Sequence, residues 1–249
     1  MTSLGKALRL LNAFRNITPP VGVSELSRRV GLPKSTTFRL LRDLESAGFI
    51  ERDGPNYSLG LSLFELGNRV TVCRPNGLRH TAMHHLGELH TQTGLATQLA
   101  VLDETDVIFV AEVGHQLVTR RHHMLPGTRR PASCSALGKA ILAFSPKAAV
   151  QAVVENGLPR VTTYSIVQIS PFLRELARIR ERGIAYEYEE STLGIVRIAA
   201  PVIYRQQAVG AICVAAPAPV TTAPKLAACV REAAAAASRD YAQLREQMW

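Results

Sequence analysis

Residues 31–50 read GLPKSTTFRLLRDLESAGFI. From Pro33 onward, Thr37, Leu40, Leu41 and Leu44 recur at i, i+3, i+4 and i+7, which predicts one packing face of an α-helix. Pro33 suits its first turn. The opposite side carries Ser35, Phe38, Arg39 and Arg42, with Lys34 and Thr36 flanking it at the N-terminal turn. A helix that only packed would not need this basic, hydroxylated edge. Hydroxyls and free N–H groups at a helix N-terminus bond phosphate oxygens. Arginine can take guanine O6 and N7 together, and a ring can touch a thymine methyl. The helix is therefore expected to face duplex DNA. The alternative is a helical hairpin with a solvated face, which would leave Phe38 exposed to no purpose.

The flanking sequence favours the first reading. Upstream, LGKALRLLNAF places Leu4, Leu8, Leu11 and Phe14 at helical spacing, and Pro19-Pro20 ends that helix. Ser24 is expected to cap a short second helix, in which Leu26 and Val30 are four apart and Gly31 provides the stop. Helix, glycine turn, helix is the helix-turn-helix pattern. Downstream, GFIERDGPNYSLG reads as strand, turn and strand with its tip at Asp53–Asn56, a wing. Arg52 beside that tip is a candidate phosphate or minor-groove contact, or else a plain surface charge.

The chain has 249 residues, a formal charge of +9 and 47% hydrophobic residues, enough for a packed core. Residues 1–60 hold nine Lys/Arg and five Asp/Glu, so part of the basic excess sits beside the predicted helix-turn-helix. No apolar run reaches the ~18 residues of a membrane span, and MTSLGKALRL lacks a signal-peptide core, so a cytoplasmic protein is expected. Cys73, Cys134, Cys213 and Cys229 form no CxxC pair, which points to reduced thiols.

After Gly60, LSLFELGNRV reads as a short apolar helical stretch. In 77–94, Leu78, Ala82, Leu86 and Leu89 predict an amphipathic helix; ATQLAVL and VIFVAEV follow as strands around a turn at 103–106. Further strands are expected at 117–123, 195–203 and 208–215, and helices at 135–144, 146–156, 171–182 and 223–247. This mixture predicts an α+β sensor domain. His80 and His84 are four apart, with His85 and His90 nearby, but no HExxH or paired cysteines complete a zinc set; solvated helix histidines are the expectation. His122 or His123 should point inward from its strand. Ser133-Cys134-Ser135 lacks a nucleophile elbow, and no GxGxxG or Walker A motif occurs, so no enzyme and no cofactor are expected. A ligand-independent DNA-binding protein and an enzyme fused to a DNA-binding head are the alternatives.

SLGKALRLLNAF, SELSRRVGLPKSTTFRLLRDLESAGFIER and YSLG together resemble the N-terminal domain of IclR-type bacterial transcriptional regulators. SALGKAILA (135–143), RGIAYEYEESTLGIVRIAAPV (182–202) and AVGAICVAAP (208–217) continue the resemblance over nearly the whole chain. It implies a winged helix-turn-helix (1–60) joined by a linker helix (61–76) to a GAF- or PAS-like effector domain (77–249), acting as a homodimer or a dimer of dimers on an operator. Ser24, Lys34, Ser35, Thr36, Phe38, Arg39, Arg42 and Arg52 are the candidate DNA contacts. The small organic effector, usually a carboxylate, would lie against Ser133, Ser135, Ala136, Leu137, Glu187, Arg197, Cys213 and Ala215. This chain departs from the family pattern at Glu187, a longer acid, at Arg197, where some members have cysteine, and at Cys213 and Ala215, which make a less polar floor. That floor would accept a bulkier acid, an aromatic one included. Arg197 is expected to clamp the effector if it points inward, to be structural if it pairs with Glu187 or Glu190, or to lie on the outer face of its strand.

Overall fold

A helix α1 (Ser3–Ala13), a short strand β1 (Val21–Gly22) and helices α2 (Val23–Val30) and α3 (Lys34–Ser46) open the computed structural model. It describes residues 1–17, 19–73, 77–114, 126–219 and 223–247. The strand expected at 117–123, with His122 and His123, lies outside them. The chain divides into two compact units, Met1–Val70 and Thr71–Trp249.

In the first unit, Leu10, Phe14, Leu26, Val30, Leu40, Leu41, Ile50 and Tyr57 form the core. Each fully buried leucine there contributes on the order of 2 kcal/mol. Three local expectations are corrected. Leu4 and Leu8 are 70% and 50% exposed; Leu10 within α1 is buried in their place, and the expected Phe14, just past the end of the helix, is buried. Leu10 and Phe14 are also four apart, so Phe14 belongs both to the expected stripe and to the observed one, which is rotated toward Leu10. Helix α2 begins at Val23 with Gly22 as its N-cap, so Ser24 is an exposed residue inside the first turn, not a cap. Pro33 is the N-cap of α3, with extended ψ, and precedes its first turn.

Gly31 closes α2 in the left-handed region (φ 63°), where glycine carries no Cβ penalty. The turn is then clamped twice: Arg9 Nη2 donates to the Val30 carbonyl at 2.8 Å, and Ser27 Oγ to the Leu32 carbonyl at 2.6 Å. Strands β2 (Ile50–Asp53) and β3 (Asn56–Leu59) form the wing hairpin, and β1 adds to β3. A helix α4 (Leu61–Arg69) follows; Leu61, Phe64 and Leu66 on it are exposed. Gly60 sits so close to the preceding turn that a Cβ would lie 2.2 Å from the Gly48 carbonyl oxygen.

The second unit is built on a six-stranded antiparallel sheet in the order β6-β5-β4-β9-β8-β7. Its strands are β4 (Ala96–Asp103), β5 (Asp106–Val113), β6 (Arg129–Pro131), β7 (Ala185–Tyr188), β8 (Ile195–Tyr204) and β9 (Gln207–Pro217). Helices α5 (Leu78–Thr93) and α9 (Ala223–Glu246) bury Leu86, Leu89, Val230 and Ala237 on one face. Helices α6 (Ala136–Ala143), α7 (Lys147–Glu155) and α8 (Ile169–Arg182) pack on the other through Leu137, Ile141, Val153 and Phe172. The four inward residues expected on α5 are all buried. His85 corrects the solvated-histidine expectation: it is buried, and its Nε2 meets Asp240 Oδ2 at 2.8 Å, tying α5 to α9. Among the described residues, no helix is long and apolar enough to cross a membrane.

Candidate functional site

The outer edge of α3 follows the wheel drawn from the sequence. Thr37, Leu40 and Leu41 are buried, and Thr37 Oγ1 bonds the Pro33 carbonyl at 3.1 Å. Lys34, Ser35, Phe38, Arg39 and Arg42 are exposed, and Thr36 is half-buried. Lys34, Arg39 and Arg42 form no ion pair among the described residues. Arg28 and Arg29 on α2, by contrast, share Glu25, and those two partners hold its carboxyl below the usual range.

Arg52 joins the wing to α3. Its guanidinium lies 5.9 Å from the ring centroids of both Phe38 and Tyr57, and its Nε donates to the Gly54 carbonyl at 2.8 Å. Cation–π contact thus holds an arginine of the hairpin beside the exposed ring of the helix. Phe38 remains 44% exposed.

In the second unit, all eight residues expected at the effector site are buried; Ala136, Leu137 and Cys213 share one core cluster, and Ala215 belongs to another. Ser133 lies in the tight turn 132–134, and Ser135 is the N-cap of α6. Register sets the rest: Glu187 on β7 pairs with Arg197 on β8, and Arg197 with Ala215 on β9. Cys213, two residues before Ala215, pairs with Gln98 on β4, which places it on the same sheet face. The small side chains at 213 and 215 lie beside Arg197, Ala215 as its register partner and Cys213 through Gln98, whose Oε1 meets both Cys213 Sγ and Arg197 Nε.

Arg197 points inward and is 1% exposed. Its Nη1 donates to Glu187 Oε1 at 2.9 Å and to Ser191 Oγ at 3.2 Å, and its Nε reaches Gln98 Oε1 at 3.4 Å. Glu187 is wholly buried and has four donors. Ser191 N at 3.2 Å, the Ser191 hydroxyl and Arg197 meet Oε1; Ala136 N, at the N-terminus of α6, meets Oε2 at 3.0 Å. Of the readings open for Arg197, the structure has the pairing with Glu187. Burial pushes the Cys213 thiol up to about 12, so it remains a neutral SH.

A second buried pair lies alongside. Lys139 Nζ donates to Glu190 Oε1 at 2.5 Å, and neither side chain is more than 9% exposed. Burial drives the Glu190 carboxyl up to about 7 against the opposing pull of Lys139. Two buried atoms near these pairs have no hydrogen-bond partner among the described residues: Ser135 Oγ and Glu190 Oε2. Burial, and next the charge of Arg197, lowers Arg130 on β6. Sequence reasoning missed Gln98, Lys139 and Ser191, and named Glu190 only as a possible partner of Arg197, whereas it pairs with Lys139. Lys139 alone left a signal, as a lysine inside the otherwise apolar SALGKAILA. A cleft of about 680 Å³ opens elsewhere, between α6, α7 and α8, lined by Leu142, Val150, Val154, Ile169, Leu173 and Leu176 among others; it includes none of the eight expected residues.

A winged helix-turn-helix followed by an α+β domain with a buried ionic site is the architecture of a ligand-responsive DNA-binding regulator. The chain belongs to the IclR family: the model described as bacterial transcriptional regulator IclR C-terminal matches residues 70–240, and the IclR helix-turn-helix domain matches residues 3–54. It is similar to the glycerol operon regulatory protein of Streptomyces griseus (32% identity, 96% of this chain and 95% of that one). It is also similar to the HTH-type transcriptional regulator XynR of Escherichia coli (29% identity, 80% and 79%). Among solved structures, an IclR homologue of Microbacterium hydrocarbonoxydans complexed with 4-hydroxybenzoate superposes with a TM-score of 0.86 (26% identity, 98% and 100%). The IclR of Thermotoga maritima superposes with 0.78 (26%, 96% and 98%). The protein is thus a DNA-binding transcriptional regulator with a C-terminal effector-binding domain.

Proposed function

We propose that the exposed edge of α3, with Ser24 on α2 and Arg52 on the wing, binds an operator, and that a small organic carboxylate held in the second unit modulates that binding. The observation that carries the effector class is the donor set at the start of α6. A helix N-terminal N–H, a guanidinium and a hydroxyl converge on one carboxylate position in a buried setting. The 4-hydroxybenzoate of the Microbacterium homologue, itself a carboxylate, supports the same class.

The working form is a cytoplasmic homodimer, or a dimer of two dimers, so that two copies of α3 reach half-sites about one DNA turn apart. The exposed Leu61, Phe64 and Leu66 on α4 suit such a contact. Residues 61–76 then relay the effector state to the spacing of the heads, since a ligand acts only through different affinities for two arrangements. No catalytic step is assigned to the chain. Fluorescence anisotropy on duplexes from the DNA flanking its gene, with and without a panel of carboxylates, tests the reading. It expects specific binding that at least one acid shifts; operator affinity indifferent to every acid would overturn the effector half.

A further inference from the structure

The anion seat of the second unit is not vacant. A carboxylate already rests on it, and it belongs to the chain. Glu187 reaches from β7 across the sheet edge to the first N–H of α6 and takes Arg197 and both donors of Ser191 on its other oxygen. A plain strand-to-strand ion pair would need only Arg197, its register partner. Here one oxygen is committed to a helix N-terminus on a different element, in the place a bound acid would use. Ser135 Oγ, one residue before that N–H and 1% exposed, has no hydrogen-bond partner among the described residues.

We infer that Glu187 is a tethered stand-in for the effector's carboxylate, so that an effector must displace it from Ala136 N and Arg197 to bind. This deepens the reading under Proposed function and rests on it for the effector role alone. The tether makes every effector compete with a group of fixed, high local concentration. Its apparent affinity is reduced by the fraction of time the seat is open. It also explains how this chain buries an arginine where an open pocket would leave a charge unpaired: the seat stays neutral until an incoming acid exchanges one carboxylate for another. Selectivity then falls on whatever the acid carries beyond its carboxylate, because the chain supplies the carboxylate contacts to itself.

The test is chemical rescue on the full chain with acetate as the probe. Glu187→Ala removes the tethered carboxylate and leaves its donors in place. Acetate is then expected to stabilise the variant saturably, raising the midpoint of thermal unfolding by about 3–5 °C once it exceeds its Kd roughly tenfold. The vacated seat should bind acetate at least about tenfold more tightly than the parent chain does. Chloride at equal ionic strength should not reproduce the shift. Glu187→Gln, which keeps the seat filled, should show no acetate response.

An acetate effect matched by chloride, absent from Glu187→Ala, or equal in Glu187→Gln would overturn the inference. Should Glu187→Ala not fold unaided, its refolding yield from urea is compared in acetate and in chloride. A higher yield in acetate supports the tether, and equal yields overturn it. These readouts do not involve DNA. Their failure therefore leaves the regulator reading standing, while an operator affinity blind to all acids would leave the seat standing.

Discussion

Glu187 Oε2 accepts the backbone N–H of Ala136 at 3.0 Å, joining a strand at the sheet edge to the first turn of a helix 51 residues earlier in the chain. Around that one contact the second unit has neutralised the most polar part of its interior. Arg197 is the largest side chain buried to this degree, and Glu187 is the only carboxylate it meets among the described residues.

Arg197→Ala should therefore destabilise the second unit by about 3–5 kcal/mol, because it strands a buried carboxylate rather than merely losing a contact. Replacing both partners, as Glu187→Gln with Arg197→Met, should cost clearly less than the two single changes added together. Urea unfolding of the four chains measures the coupling; strict additivity would mean that the two side chains act independently.

The wing has a steric prediction with its own control. Gly60→Ala would drive a Cβ to 2.2 Å from the Gly48 carbonyl oxygen, a backbone atom with little freedom to yield, and should cost about 1–3 kcal/mol in the first unit. Gly67→Ala meets nothing within 4 Å and removes a glycine from α4. It should be neutral or stabilise by up to about 1 kcal/mol. Circular dichroism melts of the two variants should move in opposite directions or, at the least, differ by that margin.

Glu190 makes stability depend on pH. Its carboxyl titrates near 4.5 when unfolded and is raised to about 7 in the fold, chiefly by burial. Between those values the folded chain holds the proton and the unfolded chain does not. The associated stability is fully present below about 4.5 and is lost as pH rises through about 7. Relative to Glu190→Gln, which cannot titrate, the parent chain should lose up to about 3 kcal/mol between pH 4.5 and 7.5. A pH-independent difference between the two would show that the Lys139 pairing, and not burial, governs the group.

On the DNA side, Arg39→Ala should weaken operator binding by about 1–3 kcal/mol and relax one base position. An equal loss on random duplex would make Arg39 a phosphate contact. Phe38→Ala removes one of the two rings beside Arg52, so it should weaken binding about as much as Arg52→Ala does, and the double variant should cost less than the sum. Titrations at several salt concentrations separate the roles: loss of a phosphate contact lowers the salt slope by about one.

Much of the first unit was legible because its information is local. Thr37, Leu40 and Leu41 are buried as their spacing requires, Gly31 takes the left-handed turn, and the basic edge of α3 is exposed. Where two stripes satisfied the same period, as in α1, spacing could not choose. Leu4 and Leu8 lost to Leu10, while Phe14 is covered as expected, because only tertiary contact with α2 and α3 decides which side is buried. The cap of α2 was misplaced by two residues, since glycine with extended dihedrals can serve there without a side-chain oxygen.

Hydrophobic period, turn glycines and the hydroxyl-basic edge of one helix determined by themselves that this chain would carry a DNA-reading head and an α+β domain. Those signals connect residues a few positions apart, and the backbone obeys them wherever the segment ends up. The fate of Arg197 was different. From the sequence it could clamp a ligand, pair with an acid or face outward, and nothing within its own strand distinguished these. Only the register of β7 on β8, together with the arrival of the α6 N-terminus, put Glu187 between a guanidinium and a helix dipole. Buried charge obeys proximity in three dimensions, and proximity is what a linear order of residues leaves open.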